Sequence, residues 1–364
     1  MITKQQISRI LEGYDKENIT IGTIGSHSAM QILYGAKDED FKTIVIGKKK
    51  NLDVYKRFNI GDSVVEVENY RDLLYKENQA MLREQNVVLI PHGSFVEYLK
   101  SSEISDNLEV PLMGNRLTLE WEADRKKVMK WIQRSGINTP VEFESPSDID
   151  RLCIVKLPGA KGGEGYFLVA GEDDFYENLK ILNKKLKQLN KSEIGIQDCI
   201  IQEYIIGTRI YPHYFYSPIT GECELMSADL RYESNADGIT RIPGNILKNY
   251  DIKPSYVVVG NTPLTIRESL LPAVFEMGES LVETSKKLFA GGLTGPFCIE
   301  TVCTPELEFI AFEVSARIVA GTNLYPRGSN YSWIKHGEPM STGRRIAREI
   351  KTAIKKDALG EIIY

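Results

Sequence analysis

The stretch Ala311-Phe312-Glu313-Val314-Ser315-Ala316-Arg317 decides how this chain is read. It is an apolar run that ends in a carboxylate, a small polar residue and an arginine. Upstream, Phe297 to Val302 is a second strand-like run, and it carries Glu300. The two runs flank a turn near Thr304 to Leu307, so an antiparallel hairpin sets Glu300 beside Glu313. Adjacent carboxylates repel unless a cation sits between them. Mg²⁺ takes one or two carboxylates plus phosphate oxygens. An arginine such as Arg317 grips a phosphate or carboxylate bidentately. The pattern points to a metal and polyphosphate site, against the plainer alternative of a solvent-facing hairpin edge.

A second stretch, Ile154-Val155-Lys156-Leu157 followed by Pro158-Gly159-Ala160-Lys161-Gly162-Gly163-Glu164-Gly165, reads as a strand and a glycine-rich loop. A lysine on an apolar strand is costly to bury without an anion. Glycines let backbone N–H groups close over a phosphate. No G-K-[ST] opens a helix here, so the loop is not a Walker loop but a hairpin flap. Ile200 to Gly207 is a strand and its exit. Its backbone can read an adenine, and Glu203 can accept ribose hydroxyls, or simply be an exposed strand end.

Towards the N-terminus, Ile19 to Ile24, Phe41 to Ile46 and Val87 to Ile90 read as strands separated by helical patterns, which implies a small parallel sheet. Val110 to Met113 reads as a further edge strand. Gly25-Ser26-His27-Ser28 and Pro91-His92-Gly93-Ser94 follow two of these strands. Such sheets bind ligands at strand carboxyl ends. His92 ranks below His27 as a candidate, and His213 and His336 read as structural. Leu119 to Ser135, Phe175 to Leu189 and Ser269 to Leu288 read as helices. Tyr211 to Ser217 and Glu222 to Asp229 read as a hairpin. Thr342 to Lys356 reads as a basic amphipathic helix suited to an interface.

Composition sets limits on function. The 364 residues are 42% hydrophobic and 26% charged, with formal net charge −5. That suits two or three globular domains and argues against a nucleic-acid footprint. No apolar run reaches the roughly 18 residues that span a bilayer, so no membrane partner is expected. The polar start Met1-Ile2-Thr3-Lys4-Gln5-Gln6 lacks the apolar core of a leader. Five cysteines without C-x-x-C spacing read as reduced thiols in a cytoplasmic protein.

Together, Lys156, Gly162-Gly163-x-Gly165, Glu203-Tyr204-Ile205-Ile206-Gly207 and Glu300 with Glu313-x-Ser315-x-Arg317 resemble the ATP-grasp superfamily. The chain further resembles the archaeal formate-dependent 5-formaminoimidazole-4-carboxamide ribonucleotide synthetases of purine biosynthesis. That likeness rests on Gly25 to Ser28, Pro91 to Phe95, Met113 to Arg116, Arg231 to Asn235, Gly260 to Pro263 and Ser315 to Asn323. It implies an α/β (α+β) chain in three parts. These are a Rossmann-like N-terminal domain over 1–123, an ATP-grasp small subdomain with the flap over 124–210, and a large subdomain over 211–364. It implies ATP and Mg²⁺ (or Mn²⁺) as cofactors, with Glu300 and Glu313 as metal ligands.

The resemblance also implies ATP contacts from Lys156, Lys161, Gly162, Gly163, Gln202, Glu203, Tyr204, Ile205 and Glu233. Substrate contacts fall to His27, Ser94 and Asn261, and catalytic roles to His27 and Arg317. The implied reaction joins formate to 5-aminoimidazole-4-carboxamide ribonucleotide through formyl phosphate, with release of ADP and phosphate, in a trimeric or hexameric homo-oligomer. Where the family's flap carries a basic residue, this chain has Glu164. The rival readings are a carboxylate–amine ligase of another substrate and a nucleotide-binding paralogue without turnover.

Overall fold

The structure is a computed structural model. It describes residues 1–364 apart from 162, 163, 189, 191, 251 and 253, and for 158–161 and 164 it describes the backbone alone. Strands β1 (Thr20–Ile24), β2 (Lys42–Gly47), β3 (Ser63–Glu66) and β4 (Val87–Leu89) form a parallel sheet in the order β3-β2-β1-β4. β1 is buried at every residue, because helices cover both faces of a parallel sheet. A Cβ on Gly22 would lie 2.7 Å from Val87, so glycine is what lets β1 and β4 pack here. Strand order reverses between β1 and β4, which opens a ligand crevice between the loops that follow them. The edge strand expected at Val110 to Met113 is absent among the described residues. Leu112 makes one isolated parallel bridge to Leu89, since Pro111 has no N–H with which to extend a ladder.

Strands β5 (Glu142–Phe143), β6 (Cys153–Lys161), β7 (Glu164–Val169) and β8 (Ile200–Glu203) form a small antiparallel sheet ordered β5-β8-β6-β7. One face carries Cys153, Val155, Val169 and Ile201. It packs on Phe175 and Leu179 of the helix Glu172–Gln188.

Strands β9 (Thr208–Tyr216), β10 (Cys223–Glu233), β11 (Val258–Pro263), β12 (Gly295–Cys303) and β13 (Phe309–Ser315) form the largest sheet, ordered β11-β10-β9-β12-β13. One face buries Tyr214, Leu225, Phe297 and Ile299 against Trp131, Val274 and Leu281 of two helices. Burial of each large apolar side chain contributes about 1.5–3 kcal/mol. Trp131 Nε1 also donates to Leu281 O at 2.9 Å.

One helix expectation needs correction. The helix read over Leu119 to Ser135 is two helices, Arg116–Glu122 and Arg125–Arg134. Asp124 breaks it, because its Oδ1 caps Lys126 N at 2.9 Å and Lys127 N at 3.2 Å. Arg125–Arg134 packs on the large sheet, whose strand β9 starts at Thr208. The C-terminal helix Thr342–Lys355 packs its apolar face within the chain. It crosses the helix Ala29–Lys37 at backbone contact, where a Cβ on Gly35 would lie 2.1 Å from Arg344 N. This crossing docks the parallel sheet onto the large one. All five cysteines are free thiols.

Candidate active site

Pleating sends alternate residues to opposite faces, and directly opposed residues share a face. The face of the large sheet opposite its helices therefore gathers polar groups. β9 supplies Arg209, Tyr211 and His213, and β10 supplies Ser227, Asp229, Arg231 and Glu233. β11 supplies Asn261, opposite Arg231. β12 and β13 supply Glu300 and Glu313, which are direct partners in the ladder as the hairpin reading expected.

Glu300 is held by Arg231 through two bonds of 2.7 and 2.6 Å. The Arg231 guanidinium lies 3.9 Å over the Tyr211 ring, so its plane is fixed from both sides. Glu313 lies on the floor of a cleft, reachable by solvent yet densely surrounded. That crowding pushes its pKa up, with the Glu300 charge adding to the rise and Lys156 opposing it. Lys156 points into the same cleft from the small sheet, its Nζ 5.9 Å from the Phe312 ring. Burial lowers the Lys156 pKa and Glu313 pulls it back up. Two opposed carboxylates, one of them of raised proton affinity, with oxygen donors only, fit a hard divalent cation. Among the described residues no third His, Cys, Asp or Glu completes a protein cage. Phosphate or water oxygens are left to fill the coordination.

At one end of the cleft, Gln202 is buried on the same face of the small sheet as Lys156, with Nε2 3.3 Å from Glu142 Oε1. Glu233 pairs with Arg209, and Tyr204 and Tyr256 pack around that pair. Ile205 lies just beyond β8. Glu203 does not join this group through its carboxylate. It opposes Cys153 in the ladder, so it lies on the other face of the sheet from Lys156. Its oxygens accept from Val141 N at 3.2 Å and Arg151 Nη1 at 3.3 Å. Only its backbone remains for a nucleotide. Gly162 and Gly163, and the side chains of Lys161 and Glu164, lie outside the described residues.

At the other end, the crevice of the parallel sheet opens onto residues 316–324. Ser26 Oγ donates to Ser94 Oγ at 2.9 Å, which ties the two loops together. His27 stacks on His92 with centroids 5.4 Å apart, and Ser28 Oγ lies 2.8 Å from His27 Nδ1. His27 has φ of 52°, a left-handed conformation that costs a non-glycine residue about 1 kcal/mol or more. Asn323 Nδ2 donates to His27 O at 3.1 Å and helps hold that turn. Crowding lowers the His27 pKa, and Arg317, His92 and Arg231 add to the shift. The ring is neutral at physiological pH and has an acceptor to offer. A Cβ on Gly93 would lie 2.8 Å from His27 Nε2 and 3.3 Å from Arg317 Cζ. His27, Gly93 and Arg317 thus meet at one point.

Arg317 is positioned by Glu122, with Nη2 to Oε1 at 3.0 Å, while Glu122 Oε2 accepts from Ala316 N at 2.9 Å. Burial raises the Glu122 pKa against the pull of Arg317. Arg317 Nε is buried without a partner among the described residues, while the side chain as a whole keeps some exposure. Asn261 is anchored by Asp229, with Nδ2 to Oδ2 at 2.6 Å.

Sequence reasoning missed Arg209, Asp229, Arg231 and Glu122 as functional groups. The first three carry a period-two signal. Arg209, Tyr211 and His213 alternate with Ile210, Pro212 and Tyr214, and Asp229 and Arg231 flank Leu230. Glu122 carries none, since its partner lies far along the chain.

Known proteins match the whole chain. A family model described as a protein of unknown function, DUF1246, matches residues 21–143, and one described as a domain of unknown function, DUF1297, matches residues 174–364. The 5-formaminoimidazole-4-carboxamide-1-(beta)-D-ribofuranosyl 5'-monophosphate synthetase of Methanococcus aeolicus is 45% identical over 100% of both chains. The protein of that name from Archaeoglobus fulgidus is 47% identical over 99% of each. The crystal structure of an IMP biosynthesis protein PurP from Thermococcus kodakaraensis matches with TM-score 0.73 and 31% identity, covering 94% of this chain and 100% of that one. The ADP complex of purK, N5-carboxyaminoimidazole ribonucleotide synthetase, shares the fold at TM-score 0.63 and 15% identity, over 92% of this chain and 77% of that one. On this evidence the chain belongs to the 5-formaminoimidazole-4-carboxamide ribonucleotide synthetase family, within the ATP-grasp superfamily.

Proposed function

We propose that this protein joins formate to the 5-amino group of 5-aminoimidazole-4-carboxamide ribonucleotide, consuming ATP and releasing ADP and phosphate, as a step of purine biosynthesis. The observation that carries the reading is the ladder pair Glu300 and Glu313, which faces Lys156 in one cleft that continues to Arg317 and His27. Formate is a poor acyl donor, so it is activated first. A formate oxygen attacks the γ-phosphorus and ADP leaves, which gives formyl phosphate. The 5-amino nitrogen then attacks the formyl carbon, phosphate leaves and the nitrogen loses a proton.

Lys156 offsets polyphosphate charge from the small sheet, and the partly exposed Arg317 guanidinium stabilises the acyl phosphate. Neutral His27 accepts a hydrogen bond from the nucleotide or takes the amine proton. Ser94 and Asn261 orient the nucleotide, while Gln202, Tyr204, Ile205 and Glu233 border the adenosine end. A Mg²⁺ or Mn²⁺ ion held by Glu300 and Glu313 would neutralise charge on the transferring phosphoryl group. We carry two further expectations with this reading. One is a trimeric or hexameric homo-oligomer, for which exposed Trp333 and Ile334 offer apolar surface. The other is a reducing, cytoplasmic location, which suits five free thiols.

The test is ADP release by the pure protein with ATP, Mg²⁺, formate and the nucleotide. Release that needs both formate and nucleotide is expected. Release with other acids or amines alone would point to a different ligase.

A further inference from the structure

Asp229 is 1% exposed and uses both carboxylate oxygens. Oδ1 accepts from His213 Nε2 at 2.7 Å, and Oδ2 accepts from Asn261 Nδ2 at 2.6 Å. On its far side, His213 Nδ1 lies 2.7 Å from Ser227 Oγ. A carboxylate offers only lone pairs, so the Asn261 atom facing it is the amide nitrogen. By the same logic the His213 nitrogen facing it carries hydrogen, and the other ring nitrogen shares a hydrogen bond with the Ser227 hydroxyl. The hydrogen bonds of Ser227, His213, Asp229 and Asn261 thus run across three adjacent strands, β9, β10 and β11.

Gly321 closes over this chain of bonds. A Cβ there would lie 2.2 Å from Asp229 Oδ1, so backbone seals the carboxylate from water. Ser227, His213 and Asp229 are at most 2% exposed. No substrate reaches Ser227, and the chain orients rather than attacks. Among the described residues it leads out to Asn261, which is partly exposed at the sheet edge.

We infer that the buried Ser227–His213–Asp229 chain locks the Asn261 amide so that its carbonyl Oδ1 faces the cleft, which makes Asn261 a specificity-determining acceptor for an N–H or O–H donor on the nucleotide. This rests on the proposed reading that Asn261 borders the nucleotide substrate. The 4-carboxamide N–H is such a donor. A 4-carboxylate in place of the carboxamide sets lone pairs against lone pairs. Sites built around one polar group reject its mismatch steeply, because buried partners are left unpaired.

Calorimetry with the carboxamide nucleotide and its 4-carboxylate analogue tests this, using the full chain with ATP present. The wild type should prefer the carboxamide by about tenfold or more. In Asp229→Asn the partner amide both donates and accepts, so Asn261 can turn. The preference should then fall severalfold while ATP affinity holds. Asn261→Leu changes the partly exposed end of the chain and removes the acceptor, and it should lose the preference too. If either variant weakens both nucleotides in equal proportion, Asp229 is merely structural and the inference fails. A wild type that turns over the carboxamide nucleotide but binds the carboxylate as tightly would overturn this inference alone. A wild type that binds neither would overturn the substrate assignment itself.

Discussion

One face of the large sheet holds carboxylates beside arginines in two places, and the two are built differently. Under the C-terminal helix, Glu224 receives Arg345 at 2.8 Å and His336 at 2.9 Å. Arg345 also binds Glu349 at 2.8 Å, and Glu349 accepts from Ser217 Oγ at 2.6 Å. Every charge there has a bonded partner. Burial works against ionised Glu224, but the His336 and Arg345 bonds win and bring its pKa down to about 2. In the cleft, Arg231 is spent on Glu300, and Glu313 stands beside that pair with its pKa raised. The satisfied cluster holds the fold. Glu313, whose charge is left uncompensated beside that pair, suits a cation that would arrive with the substrates under the proposed reading.

The contrast can be broken from either side. Arg345→Met should cost about 3–5 kcal/mol of unfolding free energy, since it strands two buried carboxylates. Turnover per folded molecule should stay near that of the wild type, as chemical denaturation and activity on the same sample would show. Glu313→Gln should do the reverse. Turnover should fall by about 10²–10³, while the melting temperature without metal is unchanged or higher, because a like-charge contact is gone. Mg²⁺ should raise the wild-type melting temperature and leave that of Glu313→Gln unmoved. Near-normal turnover in this variant would remove the carboxylate from the mechanism.

Gly93→Ala should cost about tenfold in kcat/KM, in line with small misplacements of reacting groups, because the new Cβ displaces His27 and Arg317. ATP affinity should be untouched. The smallest effect is one of pH. Glu224 has a folded pKa below its unfolded value of about 4.5, so its stabilisation is present above that value and is lost as pH falls toward 2. Stability against urea should drop across that window, and the drop should flatten in Arg345→Met.

How much of this was legible in the sequence follows from what each residue needs. Glu300 and Glu313 could be paired because a tight hairpin is nearly symmetric about its turn. The ladder obliges, although its register shifts between Glu300 and Thr301. His27 and Ser94 could be placed near one another because both follow strands of a parallel sheet, whose carboxyl ends lie on one side. Arg231 and Asp229 were visible only as alternation in a strand. Which side of that strand meets a cleft depends on the C-terminal helix and the segment after Arg317, and both fold back from distant sequence. Glu122 was hidden for the same reason, because its role exists only where the helix Arg116–Glu122 meets Ala316 and Arg317. The break at Asp124 was available from capping chemistry, but the charged, amphipathic run around it masked the signal.

The central claim is that this cleft activates formate by phosphorylation before the nucleotide amine attacks. Formate labelled with ¹⁸O in both oxygens tests it most directly. One labelled oxygen should appear in the released phosphate and the other in the formamido product, in equal amounts. Phosphate free of label, with product still formed, would contradict the account.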